Sequence, residues 1–212
     1  MSEKQQAAPK RERTFWYTVA RIVAFVIVKF LFPVKYHGKE KFALDAPYIL
    51  VSNHKSWMDP LIMAQPCKKY EVRFVGKKEL NANPTITKLL DKLHMITVDR
   101  HNTDLAAMRQ CFRVLRDKQV LGIFPEGTRH LPDLMSEVET GTSVLALRAN
   151  VPLLPVYISR KLRLFRITHV YVGDPMDVSD LSSQGMDAAV VDKMTERIRT
   201  TFLDMRAAAQ KQ

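Results

Sequence analysis

The sequence predicts an α/β domain: a largely parallel sheet covered by helices, preceded by an apolar, basic helical segment that docks on a membrane. Three observations carry that expectation. Apolar runs of strand length alternate with helical patterns from about Pro47 to the C-terminus, as successive β-α units do. A length of 212 residues suits one domain with a modest N-terminal extension. A composition of 46% hydrophobic and 26% charged residues is that of a folded globular chain rather than a disordered one. The expected division is 1–34 as the membrane-docking segment and 35–212 as the α/β domain.

The first element is the run FWYTVARIVAFVIVKFLFPV, Phe15 to Val34. A spanning helix needs about 20 mostly apolar residues, whereas Arg21 and Lys29 interrupt this run with seven uncharged residues between them. On a helix the two cations fall within roughly 80° of each other, so the segment reads as lying in an interface or re-entering it, with both cations snorkelling. A helix simply capping the domain is the plainer alternative. Residues 1–41 hold nine Lys or Arg and three Glu, a balance of +6 within a total of +11. That charge faces an anionic lipid surface more naturally than nucleic acid, because it flanks aliphatic residues and does not interleave with aromatics. No small-residue cleavage site follows, so a removable leader is not expected.

The remaining elements follow in order. PYILVS (47–52) is a buried strand, and a short helix starts after Asp59. VRFVG (72–76) is a strand, and Pro84 opens a helix over ITKLLDKL. MITV (95–98) is a strand, and Asp104 caps a helix whose Leu105, Met108, Phe112 and Leu115 share a face. VLGIF (120–124), LLPVYIS (153–159) and RITHVYVG (166–173) are strands, with a helix ending at SVLALRA (143–149) between the first two. A long helix near 186–208 closes the chain, with Met186, Val190, Val191, Met194, Ile198 and Met205 on its buried stripe. In such a fold the chemistry belongs in loops beyond the strand C-termini.

Those loops hold the chemistry-bearing residues. VSNHKSWMDP sets His54 five positions before Asp59. An Asp at the next helix start can accept a bond from imidazole Nδ1, leaving Nε2 to act as base; a polar loop followed by a helix cap is the alternative. IFPEGTRH places Glu126, Gly127 and Arg129 on a tight turn straight after a strand, where a carboxylate and a guanidinium can hold hydroxyls and a phosphate. GKKEL and TVDR put Lys77 and Arg100 at two further strand ends, where they can join Arg129 around an anion. The alternative for each cation singly is a solvated surface charge. Ser52, Ser56 and Cys67 lie nearby, but nothing marks any of them as a nucleophile. Two cysteines without CxxC spacing and six scattered histidines point to a reducing compartment, with neither a disulfide framework nor a metal site.

NHKSWMDP, VDR, FPEGTR and VPLLPVYI resemble, in order and spacing, the four motif blocks of the glycerolipid acyltransferases, and most closely the bacterial 1-acyl-sn-glycerol-3-phosphate acyltransferases. The resemblance covers roughly residues 35–175. It implies His54 as general base with Asp59 orienting it, Lys77, Arg100 and Arg129 on the acceptor phosphate, Glu126 and Gly127 on the glycerol, and Pro152 with its strand below the pocket. It implies transfer of a fatty acyl group from acyl-CoA or acyl carrier protein, as co-substrate, to the sn-2 hydroxyl of lysophosphatidate, with no cofactor and no metal. The expected location is the cytoplasmic face of a membrane, the oxyanion being stabilised by backbone N–H groups of a motif loop. The chain departs from the family pattern at His94, where members often have Gly, at His130, where Ser is common, and at Glu139, where a Lys-containing block is usual. Acylation of another lysolipid or headgroup therefore stands as an alternative, and a non-catalytic lipid-binding protein is the alternative from another class.

Overall fold

A computed structural model describes residues 15–77, 84–99, 104–129 and 132–211. Its strands are β1 (Val34–His37), β2 (Tyr48–Ser52), β3 (Val72–Lys77), β4 (Ile96–Val98), β5 (Val120–Ile123), β6 (Leu153–Ile158) and β7 (Thr168–Val172). Its helices are α1 (Phe15–Phe30), α2 (Asp59–Ala64), α3 (Pro84–Lys92), α4 (Leu105–Arg116), α5 (Thr140–Ala149), α6 (Ser179–Ser182) and α7 (Ala188–Gln210).

The strands form a seven-stranded sheet in the order β1-β7-β6-β2-β5-β3-β4. Every neighbouring pair is parallel except β6 with β7. The expected α/β class with a largely parallel sheet is therefore the observed one. β2 lies at the centre and is buried along its whole length. Its residues alternate between two apolar layers: Ile49 and Val51 pack with α4, α5 and α7, while Tyr48 and Leu50 pack with α2 and Phe42. Burial on both faces explains why the central strands read as continuous apolar runs.

Two details position the site. Gly122 of β5 pairs with Leu50 and Phe74, and a Cβ there would come within 2.5 Å of the Phe74 ring. The missing side chain lets Phe74 lie flat over the sheet. Asn53, directly after β2, donates from Nδ2 to the Ile158 carbonyl at 2.9 Å and accepts from the Ile158 N–H at 2.7 Å. That pair of bonds holds the ends of β2 and β6 level, so the loops leaving both strands emerge at one edge.

Two helix faces differ from the sequence expectation. On α4 the buried line is Ala107, Cys111 and Leu115, with Leu105 exposed. On α7 it is Val190, Met194, Ile198 and Phe202, with Met186 exposed and ahead of the helix. The rest of each expected stripe does face the core, with Met108 and Phe112 of α4 and Val191 and Met205 of α7 packed half-buried against it; only Leu105 and Met186 fall outside, and Ala107, Cys111 and Phe202 complete the lines. β1 and α6 were not expected. Val34, the last residue of the proposed docking segment, opens β1. Among the described residues no helix is long and apolar enough to cross a membrane.

Candidate active site

The loop after β2 and the turn after β5 meet at the centre of the sheet edge. Asp59, fully buried as the first residue of α2, receives three bonds on Oδ2. They come from His54 Nδ1 at 2.8 Å, Lys55 N–H at 2.6 Å and Ser56 N–H at 2.7 Å. The carboxylate thus organises the whole loop and fixes the imidazole tautomer, with the proton on Nδ1 and the lone pair on Nε2. The cap alternative is set aside by this geometry: N-cap of α2 is Met58, and Asp59 turns its oxygen back towards the loop.

The turn after β5 grips that loop at three points. Glu126, buried, accepts the His54 N–H on Oε2 at 2.7 Å and the Met135 N–H on Oε1 at 3.0 Å. Phe124 stacks on the His54 imidazole with ring centroids 4.1 Å apart and planes at 18°, and Phe74 lies beyond it at 6.1 Å. The Arg129 guanidinium sits 3.9 Å over the Trp57 ring. Gly127 makes the turn possible: its φ of +66° is left-handed, and its N–H closes on the Phe124 carbonyl at 3.0 Å.

The structure therefore brings His54, Asp59, Glu126, Gly127 and Arg129 together. Lys77 is exposed at the last position of β3, on the same edge, beside Val98 of β4. Arg100 and His130 lie outside the described residues. Pro152 lies at the opposite edge, before β6, where its carbonyl accepts the Ile49 N–H. Parallel pairing of β2 with β6 puts it a full strand away from His54, so it does not form the floor of the pocket.

A profile described as Acyltransferase matches residues 33–159. The chain belongs to the acyltransferase family. That span contains every motif residue just described, from His54 to Arg129. The chain is 28% identical over 174 residues to the 1-acyl-sn-glycerol-3-phosphate acyltransferase of Bacillus subtilis, covering 78% of this chain and 86% of that one. It is also 28% identical over 199 residues to the enzyme of that name from Streptococcus pneumoniae, covering 90% of this chain and 73% of that one. Its fold matches the crystal structure of the 1-acyl-sn-glycerophosphate acyltransferase of Thermotoga maritima with a TM-score of 0.59 and 23% identity, over 90% of this chain and 78% of that one.

Sequence reasoning missed Phe124, Trp57 and Asn53. All three stand inside the motif blocks, but their roles lie in contacts with other elements: Phe124 and Trp57 stack on His54 and Arg129, and Asn53 bonds to Ile158. Two other groups are accounted for by packing. Ser52 and Ser56 spend their hydroxyls locally, on the Asn53 carbonyl and the Met58 N–H. Cys67 is buried against the Met63 carbonyl.

Proposed function

We propose that the protein transfers a fatty acyl group from an acyl thioester to the sn-2 hydroxyl of lysophosphatidate. The observation that carries this reading is the His54–Asp59 pair, held against the Glu126–Arg129 turn within the span of the family match. His54 Nε2 removes the acceptor's hydroxyl proton as that oxygen bonds to the thioester carbonyl carbon. The tetrahedral intermediate then expels the sulfur, and the imidazolium returns the proton to the leaving thiolate. No acyl-enzyme is needed. Burial pushes the nearby Cys111 thiol up to about 12, which keeps it protonated and inert.

Arg129 and Lys77, with Arg100, are the residues proposed for the acceptor phosphate, and Glu126 with Gly127 for its glycerol part. Stacking on Trp57 holds the Arg129 fork in one plane, as two-point recognition of a phosphate requires. An apolar cavity of about 180 Å³ opens behind Phe124, between β3, β4 and β5 on one side and α4 and α5 on the other; it is the place proposed for the acyl chain. The N–H groups of His54, Lys55, Ser56 and Gly127 are each committed to a protein acceptor. The oxyanion must therefore be met by other donors of these loops or by the cations. Coenzyme A or acyl carrier protein is the proposed carrier of the donor chain, with no cofactor. Segment 1–34, whose α1 exposes Phe15, Trp16, Ile22 and Phe30, is proposed to dock on the cytoplasmic face of a membrane where the acceptor resides.

The test is thiol release with acyl-CoA and acyl carrier protein donors against a panel of lysolipids. Turnover with lysophosphatidate, lost on the order of 10²-fold or more in His54→Ala with an unchanged melt, is the expected result. Silence across the panel would favour a lipid-binding protein, and turnover confined to other lysolipids would move the acceptor.

A further inference from the structure

We propose that the loop between β6 and β7, residues 160–167, is a second membrane-insertion element that seats the site-bearing edge of the sheet against an anionic lipid surface. This inference rests on the membrane-borne acceptor proposed above. The loop reads RKLRLFRI, four cations alternating with apolar residues. Leu162 is buried and anchors it, while Leu164, Phe165 and Ile167 are 52%, 69% and 52% exposed.

The tip is a tight turn closed by the Arg166 N–H on the Arg163 carbonyl at 3.1 Å, with Leu164 and Phe165 at its two central positions. Phe165 has φ of +56°. Turns place Gly, Asn or Asp at such positions, because a side chain there is strained and the tip faces water. Folding gains nothing from two large apolar side chains at that point, one of them in a left-handed conformation. A partner that buries them accounts for the choice.

Three placements identify that partner as a lipid surface. The Phe165 N–H donates to the Leu31 carbonyl at 2.7 Å and the Thr168 N–H to the Pro33 carbonyl at 2.9 Å, which ties the loop to the end of α1, itself apolar and exposed. The loop leaves β6 at Ile158, which is held by two hydrogen bonds to Asn53, the residue before His54. The insertion tip, the end of α1 and the site therefore share one edge of the sheet. Arg160, Lys161, Arg163 and Arg166 are all exposed around the tip, with no acid in the loop, and a ring of cations around apolar side chains matches anionic headgroups above acyl chains.

The experiment uses the full chain carrying Phe165→Cys, labelled with an environment-sensitive fluorophore; Cys67 and Cys111 are buried and stay unlabelled. Leu164→Cys supplies a probe at the neighbouring turn position, and Gln184→Cys, after α6, a probe away from this edge. With mixed phosphatidylcholine and phosphatidylglycerol vesicles, both loop probes should shift to the blue and be quenched by bromine on the lipid tails, and the Gln184→Cys probe should not. Replacing Lys161, Arg163 and Arg166 together by Gln should weaken vesicle binding roughly tenfold or more at low salt, with the difference fading as salt rises. Loop probes that remain in water while the protein floats with vesicles would overturn the proposal. Thiol release is measured on the same samples: quenched probes without turnover would support the lipid contact and count against acyl transfer, and turnover with unquenched probes would do the reverse.

Discussion

Glu126 shows how a single side chain can build a site. Both of its oxygens accept backbone N–H groups, from His54 and Met135, so the carboxylate fixes the loop that carries the histidine. Glu126→Gln leaves one oxygen and turns an NH₂ against an N–H, stranding a buried donor at about 1–3 kcal/mol. We expect a lower thermal midpoint together with reduced turnover. A normal melt with lost turnover would instead give the carboxylate's weight to the glycerol. Arg129→Lys keeps the charge but loses the planar fork and its stacking on Trp57. The acceptor KM should rise several-fold while the donor KM holds; equal rises would place Arg129 on the donor's phosphates. His94 makes the companion point about backbone. Its φ of +52° is the left-handed conformation in which the glycine common at this place in the family is unstrained. Here His94 sits there instead, with Nδ1 3.3 Å from the buried Glu71 carboxylate.

At the scale of elements, what the sequence made legible depends on burial. β2, β5 and β6 are buried along their whole length and announce themselves as apolar runs. β1 is four residues, VKYH, none of them buried, and its identity comes only from pairing with β7. The antiparallel turn from β6 to β7 was equally hidden, since strand direction is a property of the pairing and leaves no mark in either strand. The site was legible for the same reason as the central strands: His54, Asp59 and Glu126 are adjacent to them in sequence. Its stacking and strapping residues were not, because Phe124 and Asn53 act across the sheet. The β1–β7 edge should also respond to pH. His37 Nε2 and His169 Nδ1 are 2.9 Å apart, beside Lys35 and the stacked Tyr171 ring. Loss of water, then His169 and Lys35, hold the His37 imidazole below the ordinary 6.5. Between the lowered value and 6.5 the unfolded chain binds more protons than the folded one, so stability is present at neutral pH and lost as pH falls through that window. Protection of the β1 amides, taken relative to their intrinsic exchange rate at each pH, should fall below about pH 6.5, and His37→Gln should flatten the profile; protection independent of pH would show that the pair carries no linkage.

For the whole molecule, α1 and the 160–167 loop are the two elements proposed to hold the domain at the surface of the proposed acceptor. α1 is 16 residues long and exposes Phe15, Ile22, Val23 and Phe30, while Ile22 and Phe25 also border a groove with Lys39, Gln65 and Lys68 beside α2. Removing the first 34 residues would take Val34 out of β1 and Pro33 away from the Thr168 N–H, damaging the sheet edge together with the proposed membrane contact. Removing residues 1–30 is the cleaner cut, because it stops at the end of α1 and keeps the Leu31 carbonyl that receives the Phe165 N–H. The core on both faces of the sheet, from Phe42 to Phe202, remains intact. The truncated protein should therefore melt nearly as the full chain does, yet float poorly with anionic liposomes. What binding survives should be the part due to the 160–167 loop, which its cations make sensitive to salt. The full chain, with the apolar face of α1 still inserted, should stay bound in high salt and leave only with detergent. A fall in the melt without a change in flotation would assign α1 to packing on α2. Complete release of the full chain by salt would leave the membrane contact purely electrostatic, with neither α1 nor the loop entering the acyl region.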